Sequence, residues 1–212
     1  PHPDSPMYHE RYAMQYLDYD PDEANRLLDG LGLTQKNGDG IRLLPSGKPL
    51  TIRVDISPNP PESRDILELM ALQWRKIGVD LQVSVVDRTL MVERHKNNDH
   101  DAAAWNATAS WMPGMPPFQM IPLDYDSRWA MDWVDWRKSG GARGSEPPPT
   151  ILKRLELYDR TQTAATFEER RELMHQIADI AADEFEVFGT SMVMPNYGVR
   201  KTGLMNVQPS NP

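Results

Sequence analysis

The chain has 212 residues, of which 39% are hydrophobic, with no cysteine and a formal net charge of −8. The lack of cysteine excludes disulfide bonds, thiolate catalysis and zinc sites built on cysteine, and the acidic balance argues against nonspecific nucleic-acid binding, which needs a basic surface. No apolar run approaches the length of a membrane span.

The first 19 residues have no repeating hydrophobic pattern but contain several tyrosines. We interpret residues 1–19 as a linker or docking segment that lies on a neighbouring domain, with a helical turn from Tyr8 to Leu17 as the alternative. Because the chain opens with Pro1 rather than methionine, we expect it to be a piece of a longer protein. The lack of a visible secretory signal then says nothing about location.

A strong helix start follows at Asp20. Asp20 is a suitable N-cap, Pro21 suits the first helical position, and Glu23 can close a capping box. Gly32 suits the end of the helix. The apolar residues that predict its buried face are Ala24, Leu27, Leu28 and Leu31.

Two turn signals come next. Residues 37–40, Asn-Gly-Asp-Gly, are typical of a tight turn or hairpin. A calcium loop is the alternative, but the full ladder of carboxylates and the closing glutamate of such a loop are missing. Residues 45–49 form the second turn signal and lead into the first strand.

The central stretch predicts a βαβ unit. Apolar and polar residues alternate from Leu50 to Ile56 and again from Val79 to Val85, which indicates two half-buried strands. Between them, one helical stripe carries Leu67, Met70, Ala71, Trp74 and Ile77. The two strands should therefore be parallel, with a right-handed crossover.

The unit is extended by a shorter helix and a third strand. Asp87 can cap a helix over about residues 90–96, with Leu90 and Met91 facing inward. The turn formers at 97–99 should end it, and residues 101–105 read as a strand of small residues.

The segment just past this third strand is the candidate ligand site. In an open α/β sheet, ligands bind beyond the carboxyl ends of the strands. Aromatic and neutral hydrogen-bonding side chains are typical of small-molecule or sugar sites. The residues that combine these properties here are Trp105, Asn106, Thr108, Ser110 and Trp111.

The second half of the chain is predicted to be mostly helical. Residues 111–125 indicate an ordered apolar loop, and Trp129 and Trp133 predict the buried face of a short helix. Two longer helices follow, at about 150–161 and after a capping box at Thr166. Residues 187–194 read as a final apolar strand.

Two rival functions depend on other residues. Asp124 and Asp126 could serve as general acid and base of a glycoside hydrolase, although solvated loop carboxylates explain them equally well. Residues 111–118 could instead be an exposed apolar docking patch of an interaction module. No nucleophile, base and oxyanion site assemble in the sequence, and the five histidines lack metal-ligand spacing.

A series of motifs along the chain occurs in an order typical of one protein family. The motifs are residues 19–24, 27–28, 38–42, 47–51, 73–81, 97–103 and 167–171. This series resembles the extracytoplasmic solute-binding proteins of ABC importers, in the family 5 group of oligopeptide- and dipeptide-binding proteins, and the resemblance covers most of the chain in the right order.

The resemblance implies an α/β fold, namely a periplasmic-binding-protein-like lobe with a βαβ core and mixed sheet, helices on its faces, and carboxyl-terminal helices and tail. Residues 1–19 would then come from a missing amino-terminal lobe. Residues 20–195 would form the second lobe, and residues 196–212 a tail that returns toward the first.

It also implies a function without catalysis: a solute-binding component of an ABC transporter, periplasmic or extracytoplasmic, membrane-associated through the importer. The implied partners are a small-molecule solute, peptide or oligosaccharide, and an ABC permease. No nucleic acid, cofactor or metal is expected, and the protein should be a monomer. Peptide binders of the family carry an aspartate where Ser110 stands, so the resemblance together with the tryptophans favours a sugar or other neutral ligand.

Overall fold

The computed structural model describes residues 7–58, 62–105 and 116–190. No helix in this part of the chain has the length and apolarity needed to cross a membrane. A short 3₁₀ helix spans Tyr125–Ser127. The other elements, in chain order, are α1 Glu10–Met14, α2 Pro21–Gly30, β1 Thr51–Ile56, α3 Glu62–Lys76, β2 Asp80–Val85, α4 Arg88–Lys96, β3 Ala102–Ala103, α5 Met131–Lys138, α6 Pro149–Thr163 and α7 Phe167–Glu184.

The three described strands form one parallel sheet in the order β2-β1-β3. Thr51 pairs with Asp80 at the start of β1, and Val54 pairs with Ala102 further along it. This confirms the predicted βαβ unit and the third strand. Antiparallel partners do not occur in the described sheet, so the mixed character of the complete lobe stays a prediction.

The helix between the first two strands covers the sheet with the predicted stripe. Leu67 of α3 packs with Val54, Ile56 and Leu81 in one hydrophobic cluster. Met70, Ala71 and Trp74 lie against the same cluster, half-buried. The helical period of the sequence therefore identified the face that meets the sheet.

Arg42 joins α2 and the turn at residues 37–40 to the end of α3. Its side chain is 2% exposed; its Nε donates to the carbonyl of Ile77 at 2.7 Å, and its terminal nitrogens reach Asp29 and Asn25 of α2. The facing Gly78 has φ of +86°, and a Cβ there would come within 2.7 Å of the Arg42 Cγ. Glycine is therefore required at this close approach.

The two turns before β1 have the predicted form. The Asn37 Oδ1 accepts hydrogen bonds from the backbone N–H groups of Asp39 and Ile41. An antiparallel bridge pairs Lys36 with Arg42 across this turn. The hairpin interpretation of residues 37–40 is thereby confirmed, and a second bridge closes the turn at 45–49.

A second hydrophobic cluster holds the carboxyl-terminal half together. It unites α6 and α7 with Met120 and Ile121, and the partly buried Trp129 and Trp133 pack against it as predicted. The amino-terminal segment docks on this half, because the Tyr12 hydroxyl of α1 donates to Asp179 of α7 at 2.9 Å.

Two predicted buried positions, the apolar face of α2 and Leu90, are wrong, and the predicted final strand is not found in its described part. Leu27 and Leu31, from the predicted buried face of α2, are 55% and 74% exposed, because α2 is attached through polar contacts to Arg42 rather than through its apolar stripe. Leu90 is 47% exposed, since α4 docks through Met91 and His95 instead. The described part of the final apolar run, residues 187–190, forms no strand.

Replacing Arg42 by methionine should lower the free energy of unfolding by about 3 kcal/mol, because several buried carbonyl and amide oxygens lose their donor. The measurement is the urea denaturation of the full-length protein followed by circular dichroism. Arg26→Met is the matched control, since Arg26 lies exposed on α2 and pairs only with Glu23, and it should change stability by less than about 1 kcal/mol. Equal losses in the two variants would refute the role of Arg42.

Candidate functional site

Trp105 lies two residues beyond the end of β3, at the carboxyl end of the parallel sheet. Its side chain is 40% exposed, so the indole is not sealed in the interior. The other residues of the predicted site, Asn106, Thr108, Ser110 and Trp111, lie outside the described residues. The structure therefore locates one member of the predicted site.

Two arginines approach the Trp105 ring. The guanidinium carbon of Arg128 lies 3.8 Å from the ring centroid, and that of Arg88 lies 5.4 Å from it. Both distances are within the range of cation–π attraction. The exposed indole is thus bordered by two positive charges.

The position of Arg88 follows from how α4 docks on the sheet. Asp87 caps α4 by accepting a hydrogen bond from the backbone N–H of Thr89 at 2.8 Å. Further along the helix, Arg94 forms an ion pair at 3.1 Å with the buried Asp55 of β1. This pair ties α4 to the central strand, so that Arg88, in the first turn, is held at the carboxyl edge of the sheet.

The backbone around Arg128 is held by a compact set of hydrogen bonds. The Ser127 hydroxyl donates to the carbonyl of Ile121 and accepts from the backbone N–H of Leu123 at 2.9 Å. The indole N–H of Trp129 donates to the carbonyl of Phe118, also at 2.9 Å. These contacts anchor the chain on both sides of Arg128.

Arg128 has a left-handed backbone, with φ of 63°. Non-glycine residues rarely adopt this conformation, and it persists where surrounding contacts determine it. The carbonyl of Arg128 lies 3.0 Å from the His100 Nε2; since a carbonyl only accepts, that ring nitrogen carries the proton. The backbone at Arg128 is therefore strained, and the surrounding hydrogen bonds fix the position from which its side chain extends.

The electrostatics of Arg128 differ from those of a surface arginine. The residue is 8% exposed, and its Nε has no hydrogen-bond partner among the described residues. Burial lowers the pKa of its guanidinium; the negative charge of Asp126 opposes this shift and the positive charge of Arg88 adds to it. The side chain remains a cation at neutral pH, with part of its hydrogen-bonding capacity unused.

A pair of histidines lies next to Arg128. The rings of His95 and His100 are 4.3 Å apart between centroids. His95 is almost fully buried, and in the described part of the chain neither of its ring nitrogens has a hydrogen-bond partner. Burial, followed by the neighbouring charges of His100 and Arg128, lowers the pKa of His95 to about 4, against an opposing effect of Asp55.

The carboxylates of the rival hydrolase hypothesis have a structural use. Asp124 caps the 3₁₀ helix, and its Oδ1 accepts from the backbone N–H of Asp126 at 2.7 Å. Asp126 itself is exposed. Within the described ranges, no group of three histidine, aspartate or glutamate side chains is placed to hold a metal ion.

The rival docking patch lies mostly outside the described ranges. Of residues 111–118, only 116–118 are described, with Pro117 buried and Phe118 half-buried. The carbonyl of Pro117 accepts hydrogen bonds from the backbone N–H groups of Met120 and Ile121, which belong to the second cluster. The described end of the patch is thus part of the folded body rather than a free surface.

Sequence reasoning missed both arginines of the site. Arg88 directly follows Asp87, the residue that predicted a helix cap, and Arg128 lies in a segment whose tryptophans predicted a buried face. Each is one of many charged residues in a chain with 23 lysines and arginines. The only local sequence signal was that Arg88 follows the carboxyl end of a predicted strand.

Comparison with known families gives one match that covers more than half of the chain. The sequence profile described as "Bacterial extracellular solute-binding proteins, family 5 Middle" matches residues 1–129. A comparison with curated proteins gives no match.

Solved structures with the same fold include binders of several solutes. The oligopeptide-binding protein OppA is 26% identical, with a TM-score of 0.69, over 84% of this chain and 30% of its own. The periplasmic binding protein MelB of Agrobacterium fabrum, in complex with stachyose, is 17% identical with a TM-score of 0.65, over 80% and 25% of the two chains.

The oligopeptide-binding protein AppA of Bacillus subtilis, in complex with a nonapeptide, is 20% identical with a TM-score of 0.59, over 86% of this chain and 33% of its own. The chain thus spans about a third or less of the length of these proteins. The likeness to MelB and AppA is one of fold.

The buried His95 should make the fold less stable in acid. An unfolded histidine has a pKa of about 6.5, so between that value and about 4 the unfolded chain binds the proton more readily than the folded one. The stability contributed by neutral His95 is therefore complete above about pH 6.5 and is lost as the pH falls toward 4.

Replacing His95 by methionine should reduce the loss of unfolding free energy between pH 7 and pH 4.5 by about 2 kcal/mol, measured by urea denaturation at both values. Met91→Leu, a volume-conserving change at another buried position of α4, should keep the wild-type pH dependence. The same pH dependence in the wild type and His95→Met would disprove the effect.

Proposed function

Because this chain belongs to family 5 of the bacterial extracellular solute-binding proteins, we propose that it is part of the solute-binding component of an ABC importer. The complete protein captures a small solute in a cleft between two lobes and does not transform it. The single observation that carries this function is the exposed Trp105 at the carboxyl end of the parallel sheet, where open α/β folds bind their ligands.

In this proposal the chain supplies most of one lobe. Residues 20–195 belong to the second lobe, residues 1–19 lead in from the first, and residues 196–212 return toward it. Large apolar side chains that are exposed on α2 and α3, including Leu31, Leu69 and Leu72, support this arrangement. Such surfaces are usual where another part of a protein packs.

The proposed binding residues are Trp105, Asn106, Thr108, Ser110 and Trp111. Trp105 offers an apolar face, and the neutral polar side chains that follow it in the sequence are suited to orient a solute by hydrogen bonds. Closure of the two lobes by a hinge motion would enclose the solute. A peptide or an oligosaccharide is the proposed solute class, since the structures with this fold include complexes with a nonapeptide and with stachyose.

The partner of the loaded protein is the permease of the importer, and the site of action is outside the cytoplasm, at the membrane surface. We take the working unit to be a monomer without cofactor. The hydrolase alternative finds no support in the described residues, because Asp124 is engaged in capping a helix.

Replacing Trp105 by alanine in the full-length protein should weaken solute binding roughly tenfold, because a partly exposed aromatic face is lost from the site. The measurement is calorimetric titration with panels of peptides and oligosaccharides. Trp136→Ala is the control, since Trp136 lies half-buried on α5 beside Gly141, and it should bind as the wild type does. If a folded full-length protein binds no solute of either class, the proposed function is wrong.

A further inference from the structure

Three arginines are buried in the described part of the chain, and two of them are neutralised. Arg42 pairs with Asp29, and Arg154 pairs with Glu186 and also donates to the carbonyl of Met120 at 2.7 Å. A buried charge is costly unless it is paired and hydrogen-bonded. These two side chains follow that rule.

Arg128, the third buried arginine, does not follow it. Among the described residues it has no carboxylate within ion-pair distance and donates no side-chain hydrogen bond. Asp126 influences it only at longer range. Within the described ranges, the ring of Trp105 is the close neighbour whose charge distribution complements the guanidinium. A cation–π contact replaces only part of the hydration that a buried guanidinium loses.

Arg88 adds a second unpaired cation at the same place. It is exposed and forms no ion pair with a described residue, and its positive charge reaches Arg128. Two like charges at one ring oppose each other. The two cations lie at the same ring on a chain whose net charge is −8, so the general charge composition does not account for them.

We propose that Arg88, Arg128 and Trp105 form a recognition site for an anionic group of the solute, a carboxylate or a phosphate. This inference rests on the proposed function and deepens it, because it assigns a charge to the solute. It also departs from the neutral ligand that the sequence favoured.

The chemistry of the three side chains fits this class of ligand. A guanidinium presents donors in a planar fork that matches the oxygens of carboxylates and phosphates. An anion bound beside the two arginines would offer an acceptor to the Arg128 guanidinium, whose Nε has no partner among the described residues, and would offset the repulsion between the cations. The exposed face of Trp105 remains available to contact the apolar or ring portion of the same solute.

The tether of Arg128 supports a binding role. Its left-handed backbone is held by Ser127, by Trp129 and by the contact of its carbonyl with His100. Binding sites are most effective when their charged groups are positioned before the ligand arrives, because less conformational entropy is lost on binding.

The test compares matched solutes that differ in one anionic group. Full-length protein is titrated by calorimetry with an N-acetylated alanine tripeptide as the free acid and as the carboxamide, and with glucose 6-phosphate and glucose. The first pair examines a carboxylate and the second a phosphate. Each titration is repeated at higher ionic strength, which weakens charge–charge attraction between exposed groups.

Three variants accompany the wild type. Arg88→Gln removes the exposed cation with little risk to folding, and Arg128→Gln removes the buried one. Arg64→Gln is the control, because Arg64 is an exposed arginine on α3 that pairs with Glu68. Loss of either site arginine should weaken binding of the anionic solute by about ten- to a hundredfold and should weaken binding of its neutral partner much less. The control variant Arg64→Gln should bind both solutes as the wild type does.

The outcomes separate this inference from the proposed function. Tighter binding of at least one anionic solute than of its neutral partner, lost in Arg88→Gln but kept in Arg64→Gln, supports both. Equal binding of the two members of each pair, or binding of an anionic solute that is unchanged in Arg88→Gln and in folded Arg128→Gln, overturns the inference and leaves the proposed function standing. Failure to bind any of the four solutes or any member of the peptide and oligosaccharide panels overturns both.

Discussion

The architecture depends on β1, which is hydrogen-bonded along both of its edges. β2 and β3 pair with it in parallel, and both come from later parts of the chain. Parallel strands need a crossover between them, so α3 and α4 must cover the sheet, and the carboxyl ends of all three strands lie at one edge. Arg88 in the first turn of α4 and Trp105, two residues beyond β3, lie at this edge and contact each other.

Buried arginines connect other elements of the chain to one another. Arg42 connects α2 and the hairpin with the end of α3, and Arg154 of α6 contacts the segment that carries Met120. Both form ion pairs with carboxylates of this chain and donate hydrogen bonds to its carbonyl groups. Arg128, at the sheet edge, has no such partner within residues 7–58, 62–105 and 116–190. The contrast separates arginines that stabilise the fold from one whose charge is left for a ligand.

Much of the local structure could be predicted from the residues. The helix starts at Asp20, Asp87 and Thr166 each have the predicted capping side chain, because capping depends on residues within one turn. The alternation of apolar and polar residues in β1 and β2 and the apolar stripe of α3 could also be predicted. The buried face of α2 could not be predicted, because the exposure of Leu27 depends on what packs against it. Apolar periodicity does not identify that partner.

The sequence alone determined the βαβ unit, the caps, the turns and the position of Trp105 beyond the third strand, because each depends on neighbouring residues and on the strand and helix periods. Only the tertiary structure decided that Arg88 and Arg128 both lie at that tryptophan. Arg128 is distant from the ring in the chain and reaches it through the hydrogen bonds around Ser127 and the contact with His100. Long-range contacts of this kind follow from packing and charge burial in three dimensions, and no local pattern encodes them.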